Sequence, residues 1–292
     1  MLAHEFMRNA FLAGTPVALA CGLIGYFVVL RSQVFAGDAL SHVAFTGALA
    51  AAAAGIDVRL GLFAATIAVA AGMGLLGERA RPDDVVIGSV FAWVLGLGAL
   101  FLSIFISGSS GSNGTAAVRV LFGSILGLSL ADARLAAAIA ILACLALAAI
   151  ARPLLFASVD SEVAHGLGVP VRALGLGFFI LLAVVAAEAT QAVGALLLLG
   201  LLAAPGGAAR LLSDSPWRGL GLSGAIAVGS MWAGLVLSYQ IPSLPASTAV
   251  IGVATATFLL AAAVSRLRRR SRPPASQGID GVRGELSLGS KA

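Results

Sequence analysis

Asp38 and His42 stand four positions apart at the head of an otherwise apolar stretch. On a helix that spacing puts both side chains on one face, so a carboxylate oxygen and an imidazole nitrogen can point at one spot. Such oxygen and nitrogen donors suit zinc, manganese or ferrous iron. The pair supplies half of a four-ligand site, and a second copy of the chain about a two-fold axis would supply the other half. A structural role fits the pair as well: Asp38 could cap the helix and His42 could bond locally. Glu188 interrupts another apolar run together with Thr190 and Gln191. It reads as part of a turn near the outer surface, with a place along a pathway as the alternative. Ser129 and Asp132 have the spacing of a capping box and read as structural.

Other chemistries find little support. The chain has three histidines and no H-E-x-x-H pattern, and the Gly/Ser-rich stretch 107–115 has no basic partner in the sequence. The only lysine is Lys291, so no P-loop exists to hold nucleotide phosphates. If ATP drives this protein, another chain hydrolyses it. Cys21 and Cys144 both lie in apolar runs and read as packing residues.

The elements that must carry these residues are set by composition. Of 292 residues, 60% are hydrophobic and 11% are charged, and the mean hydropathy is +1.03. A soluble domain carries about 25% charged residues. Val85 to Gly114 contains no charged residue at all. A membrane barrel would alternate polar and apolar positions, so the spans are helices. We read nine apolar segments: 11–30, 38–55, 60–77, 86–106, 131–150, 173–187, 189–204, 218–238 and 246–264. The fold class is therefore an all-α integral membrane bundle of about eight or nine transmembrane helices.

The net charge of +5 does not indicate nucleic acid. Its basic residues cluster between spans: Arg31, the stretch 78–84, the loops 152–172 and 210–218, and the tail from Arg266. The intervening loops 57–59, 107–115 and 239–245 carry only Arg59. Nine crossings then place the N-terminus outside and the C-terminus in the cytoplasm. Residues 1–265 form the membrane domain, and residues 266–292 form a basic tail expected to be disordered.

The loop 158–170 contains Asp160, Glu162, Ala164, Gly168 and Pro170, with the pattern E-x-A-x-x-x-G. An acidic helix start and a glycine stop would make a short, rigid knob. It resembles the loop through which importer permeases dock on their ATPase. Gly37-Asp38-Ala39-Leu40-Ser41-His42 resembles a signature of zinc/manganese-type ABC-transporter permeases. Asp84–Gly88, Leu121–Leu126, and the run from Gln191 through Pro205 resemble later landmarks of that family. The resemblance covers about residues 10–265.

The resemblance implies a permease dimer around a central path, a cytoplasmic ATPase subunit, and an extracytoplasmic metal-binding protein. It places Asp38 and His42 on the metal path and Asp160, Glu162, Ala164, Gly168 and Pro170 at the ATPase contact. Pro205 with Arg210 would end a span near the inner surface. No permanent cofactor is expected, only a transported divalent ion, zinc or manganese foremost. A permease for a metal chelate of siderophore or cobalamin type, a gradient-driven secondary transporter, and a membrane scaffold or receptor are the competing readings.

Overall fold

A computed structural model of the chain describes residues 4–76, 84–107, 123, 125–195 and 198–270. The stretches 78–83, 108–115 and 271–292 lie outside the described residues, as do Leu121, Phe122 and Ser124 of one family landmark. The described elements are α1 (Glu5–Leu30), α2 (Val34–Ala53), α3 (Val58–Leu76), α4 (Asp84–Ser107), a 3₁₀ turn (Ile125–Gly127), α5 (Leu130–Val159), α6 (Ser161–Gly166), α7 (Val171–Val193), α8 (Leu198–Leu212), α9 (Pro216–Gln240) and α10 (Ala246–Arg270). Eight of these helices are long and apolar enough to cross a bilayer, and α8 is a shorter apolar helix.

Residue type explains which helices lie inside. α1 is packed by α5, α7, α8 and α9, and α2 by α3, α4, α7 and α8. Their buried faces are rich in alanine and glycine. Lipid gives helices no hydrophobic reason to associate, so close backbone approach must supply the contact. Gly25 of α1 shows how close: a Cβ there would overlap the Leu202 carbonyl of α8, and one on Gly206 would sit 2.7 Å from the Gly25 carbonyl oxygen. α4 and α10 lie outside, where exposed Trp93, Leu100, Leu259 and Leu260 present apolar surface. Bulky side chains suit that surface and would not fit the α1–α8 contact.

Two boundaries differ from the sequence expectation. The expected break at Glu188 is absent, because α7 runs unbroken from Val171 to Val193. The chain stops instead at Gly194, whose φ of +97° is open to glycine and disfavoured for other residues. The end expected at Pro205 with Arg210 falls at Arg210, in the last turn of its helix, and not at Pro205 itself. Pro205 lies inside α8, which continues through Arg210 to Leu212. The basic tail also begins in helix, since α10 extends to Arg270.

The helices gather their ends into two groups. At one end the Arg210 guanidinium donates to the Val29 carbonyl at 3.3 Å, and Arg31 reaches Ser158. At the other, His4 meets Tyr239, and Arg59 meets both Glu188 and Asp132. The α1–α2 turn is tight. Gln33 N donates to Val28 O at 2.8 Å and Ser32 N to Val29 O at 3.2 Å, the Schellman pattern. Ser32 takes the left-handed position, φ 56°, where glycine is usual.

The Gly25 contact yields a test of the packing. Gly25→Ala should lower the thermal midpoint of the detergent-purified protein, at an overpacking cost of about 1–3 kcal/mol. Gly72→Ala, where a Cβ would meet nothing within 4 Å, should leave the midpoint unchanged or raise it. Equal midpoints for the two variants would contradict the packing described.

Candidate functional site

Asp38 and His42 lie on α2, one turn apart, as their spacing predicts. Between and beside them Ala39, Leu40, Ser41 and Val43 are buried, whereas Asp38 and His42 are both half-buried. Gly37 seats this part of α2 on α8: a Cβ there would stand 2.6 Å from a Leu202 methyl group. The His42 ring packs edge-on against Phe91 of α4, with centroids 5.1 Å apart. Phe91 also meets Phe35 at 5.6 Å. The imidazole is thus held by apolar contact, leaving its nitrogens without a hydrogen bond among the described residues.

The capping alternative does not describe Asp38. The N-cap of α2 is Gln33. The Asp38 main-chain carbonyl accepts a bond from Ser41 Oγ at 2.7 Å, but its carboxylate has no hydrogen bond or ion pair among the described residues. No third histidine, cysteine, aspartate or glutamate joins the pair among the described residues. One chain therefore offers one carboxylate and one imidazole, open to its surface and otherwise uncommitted.

Glu188 is committed elsewhere. It is 3% exposed, and both of its carboxylate oxygens accept from Arg59 Nη2, at 2.9 and 3.0 Å. Arg59 Nη1 lies 3.7 Å from Asp132, which is half-exposed. The turn expected at Glu188 is thus an ion pair inside a helix, tying α7 to the start of α3 and, more loosely, to the start of α5. Asp57 starts α3 by accepting from the backbone N–H groups of Arg59 and Leu60 at 2.8 and 3.2 Å. Ser129 caps α5 as its spacing predicts, accepting from Asp132 N at 3.2 Å. Arg59 is the residue that sequence reasoning missed. Its signal was being the lone arginine among the loops expected on that side.

The segment 160–170 folds as a capped knob. Asp160 accepts from the N–H groups of Glu162 and Val163, both at 3.0 Å, and so starts α6. Ala164 is fully buried against Ala157 and Val171. Gly168 ends the turn with φ +81°, and Val169 N returns to Ala164 O at 3.0 Å. Pro170 occupies the N-cap of α7. Glu162 and His165 are exposed on this knob. Gln191 lies on α7 one turn past Glu188, and its amide nitrogen is buried with no partner among the described residues. Pro205 is buried within α8. Cys21 and Cys144 are both free thiols.

Removing one member of a buried pair strands the other charge. Arg59→Ala should therefore cost about 3–5 kcal/mol of stability, whereas Asp132→Ala should cost about 0–1 kcal/mol as an exposed partner. Thermal melts of the two variants would check the order. Equal losses would show that Glu188 does not depend on Arg59.

Comparison with known proteins narrows what this arrangement belongs to. Residues 3–265 match the family described as ABC 3 transport family. The chain is 29% identical over 262 residues to the manganese transport system membrane protein MntC of Listeria innocua, covering 89% of this chain and 91% of that protein. It is 32% identical over 271 residues to the Haemophilus influenzae protein named "Probable iron transport system membrane protein", covering 92% and 97%. Among solved structures it resembles PsaBC of Streptococcus pneumoniae in complex with Fab, with a TM-score of 0.76 and 25% identity over 88% of this chain and 91% of that one.

Proposed function

The chain belongs to the ABC 3 transport family, and from that membership we propose that it is the membrane-spanning permease subunit of an ATP-driven importer of a divalent metal ion. The observation that carries the ion is the Asp38–His42 pair. A carboxylate and an imidazole share one helix face, half-buried in an apolar bundle, with no partner among the described residues to neutralise or occupy them. Relatives named for manganese and for iron transport support a divalent cargo. Manganese, zinc and ferrous iron all accept this donor set.

Two ligands from one chain leave a four-coordinate ion half-held. We infer a second copy of the permease across a two-fold axis, which places two Asp38 carboxylates and two His42 imidazoles around one path. Paired carboxylates lower the cost of stripping water from a dication inside the membrane. An extracytoplasmic metal-binding protein delivers the ion at the end that carries Arg59 and Glu188. The end that carries Arg31 and Arg210 faces the cytoplasm by the positive-inside rule, which sets the N-terminus outside and the C-terminus inside a bacterial-type plasma membrane. There a separate ATPase subunit docks on the knob formed by Asp160, Glu162, Ala164, Gly168 and Pro170. ATP binding moves the knobs, and the two permeases rock to open the path inward.

Metal accumulation tests this reading. The chain is expressed with its ATPase and binding protein in cells lacking their own uptake systems, and cellular zinc, manganese and iron are quantified. One metal should rise with the wild type and fall to background with Asp38→Ala and with His42→Ala, while both variants still assemble. Wild-type accumulation in either variant would remove the pair from the path. An assembled wild-type complex that accumulates no free ion would move the cargo to a chelate.

A further inference from the structure

The turn that launches α2 is tied to the docking segment through one buried side chain. Arg31 is 7% exposed although it carries a full charge. Its Nε donates to Gln33 Oε1 at 3.1 Å, and its Nη1 donates to Ser158 Oγ at 3.3 Å. Its guanidinium carbon lies 5.3 Å from the centre of the Phe178 ring. Ser158 sits in the last turn of α5, just ahead of Asp160, the N-cap of α6. Phe178 sits on α7, the helix that follows the knob. One guanidinium therefore touches the helices on both sides of segment 160–170, while its own backbone begins the turn to Asp38.

Both ends of this link are stiff. On the docking side, Ala157 of α5, Ala164 of α6 and Val171 of α7 share one small core, so the three pieces move together. On the other side, the turn 31–33 is closed by two main-chain bonds, with Ser32 held in the left-handed region. A displacement of Ser158 has no loose chain to absorb it before it reaches α2. Gly37, immediately before Asp38, then packs on Leu202, which ties the same shift to α8. Arginine suits this position better than lysine, because its planar fork engages several partners in fixed geometry and stacks on an aromatic face.

We propose that Arg31 is a positioning residue that carries movement of the docking segment to the Asp38–His42 pair, coupling ATP hydrolysis to ion movement. The proposal rests on the functional reading above, in which 160–170 meets the ATPase and the pair meets the ion. Arg31 touches neither; it acts through Ser158 on one side and through the start of α2 on the other.

The test uses the whole complex of permease, ATPase and binding protein in liposomes, with manganese(II) as the probe. Manganese uptake and ATP hydrolysis are measured together for wild type, Arg31→Lys, Ser158→Ala and the double variant. Each single variant should keep hydrolysing ATP while uptake per ATP falls by between about 2-fold and about 30-fold, the span of energetic coupling through such links. The double variant should be no worse than Arg31→Lys, because both changes cut the same link. Wild-type uptake per ATP in both single variants would overturn the proposal. So would a parallel fall of uptake and hydrolysis, the signature of simple damage. If Arg31→Lys fails to assemble, Ser158→Ala decides alone: reduced uptake per ATP supports the link, and a wild-type ratio overturns it. Failure of the functional reading looks different. There the wild-type complex assembles and hydrolyses ATP yet moves no manganese, zinc or ferrous iron, and the coupling role of Arg31 falls with it.

Discussion

A bilayer offers no water to a polar group, so each one inside this bundle must find its partner within the protein. Several buried polar side chains show that constraint at work. Thr66 bonds back to Leu62 O at 2.6 Å, and Ser223 donates to Gly22 O at 2.6 Å across two helices. Thr46 donates to Val94 O and Asn9 to Leu128 O, each at 3.2 Å. The Glu188 carboxylate accepts from Arg59 Nη2, and Arg31 meets Gln33, Ser158 and Phe178. Gln33 Nε2, Arg59 Nε, Gln191 Nε2 and Ser230 Oγ are buried without a hydrogen bond among the described residues, and the half-buried Asp38 carboxylate and His42 imidazole lack one as well. Under the proposed function, an Asp38 carboxylate without a hydrogen bond or ion pair among the described residues is kept for the transported ion.

The rest of the architecture positions that carboxylate. Close backbone contacts such as Gly25 with Leu202 fix α1 against α8, and α2 leans on the same helix through Gly37. The pair is therefore carried on a helix fixed against α8, half-buried and packed on Phe91 of α4. The two ends are built differently. One is pinned by the Arg59 ion pairs between α3, α7 and α5. The other ends in the small capped helix α6, which projects Glu162 and His165 outward while burying Ala164. Under the proposed function, α2 would carry the ion ligands between a charge-pinned end and an end that docks the ATPase.

Local chemistry was legible in the sequence, and distant pairing was not. The Asp38–His42 spacing, the Ser129 cap, and the acidic start and glycine stop around α6 all depend on neighbours within a few residues. The structure places each as its spacing predicts. Glu188 was misread because a lone carboxylate in an apolar run looks like a break when its partner lies 129 residues away. Once Arg59 neutralises it, the helix has no reason to stop there and runs on to Gly194. At the other boundary Arg210 does stand in the last turn of α8, but Pro205 does not stop the helix. Proline removes one helical bond, yet α8 continues past it, packed against α1 by Gly206. Arg31 looked like one more cytoplasmic charge, and only the fold reveals Ser158 and Phe178 beside it.

In the proposed dimer one ion is held by Asp38 and His42 of two permease copies. Electron paramagnetic resonance of manganese(II) bound to the purified permease tests it most directly, read together with the binding stoichiometry. A site shared by two copies binds one ion per two chains and gives nitrogen coupling from imidazole that disappears in His42→Ala. One ion per single chain, or nitrogen coupling that persists in His42→Ala, would contradict it.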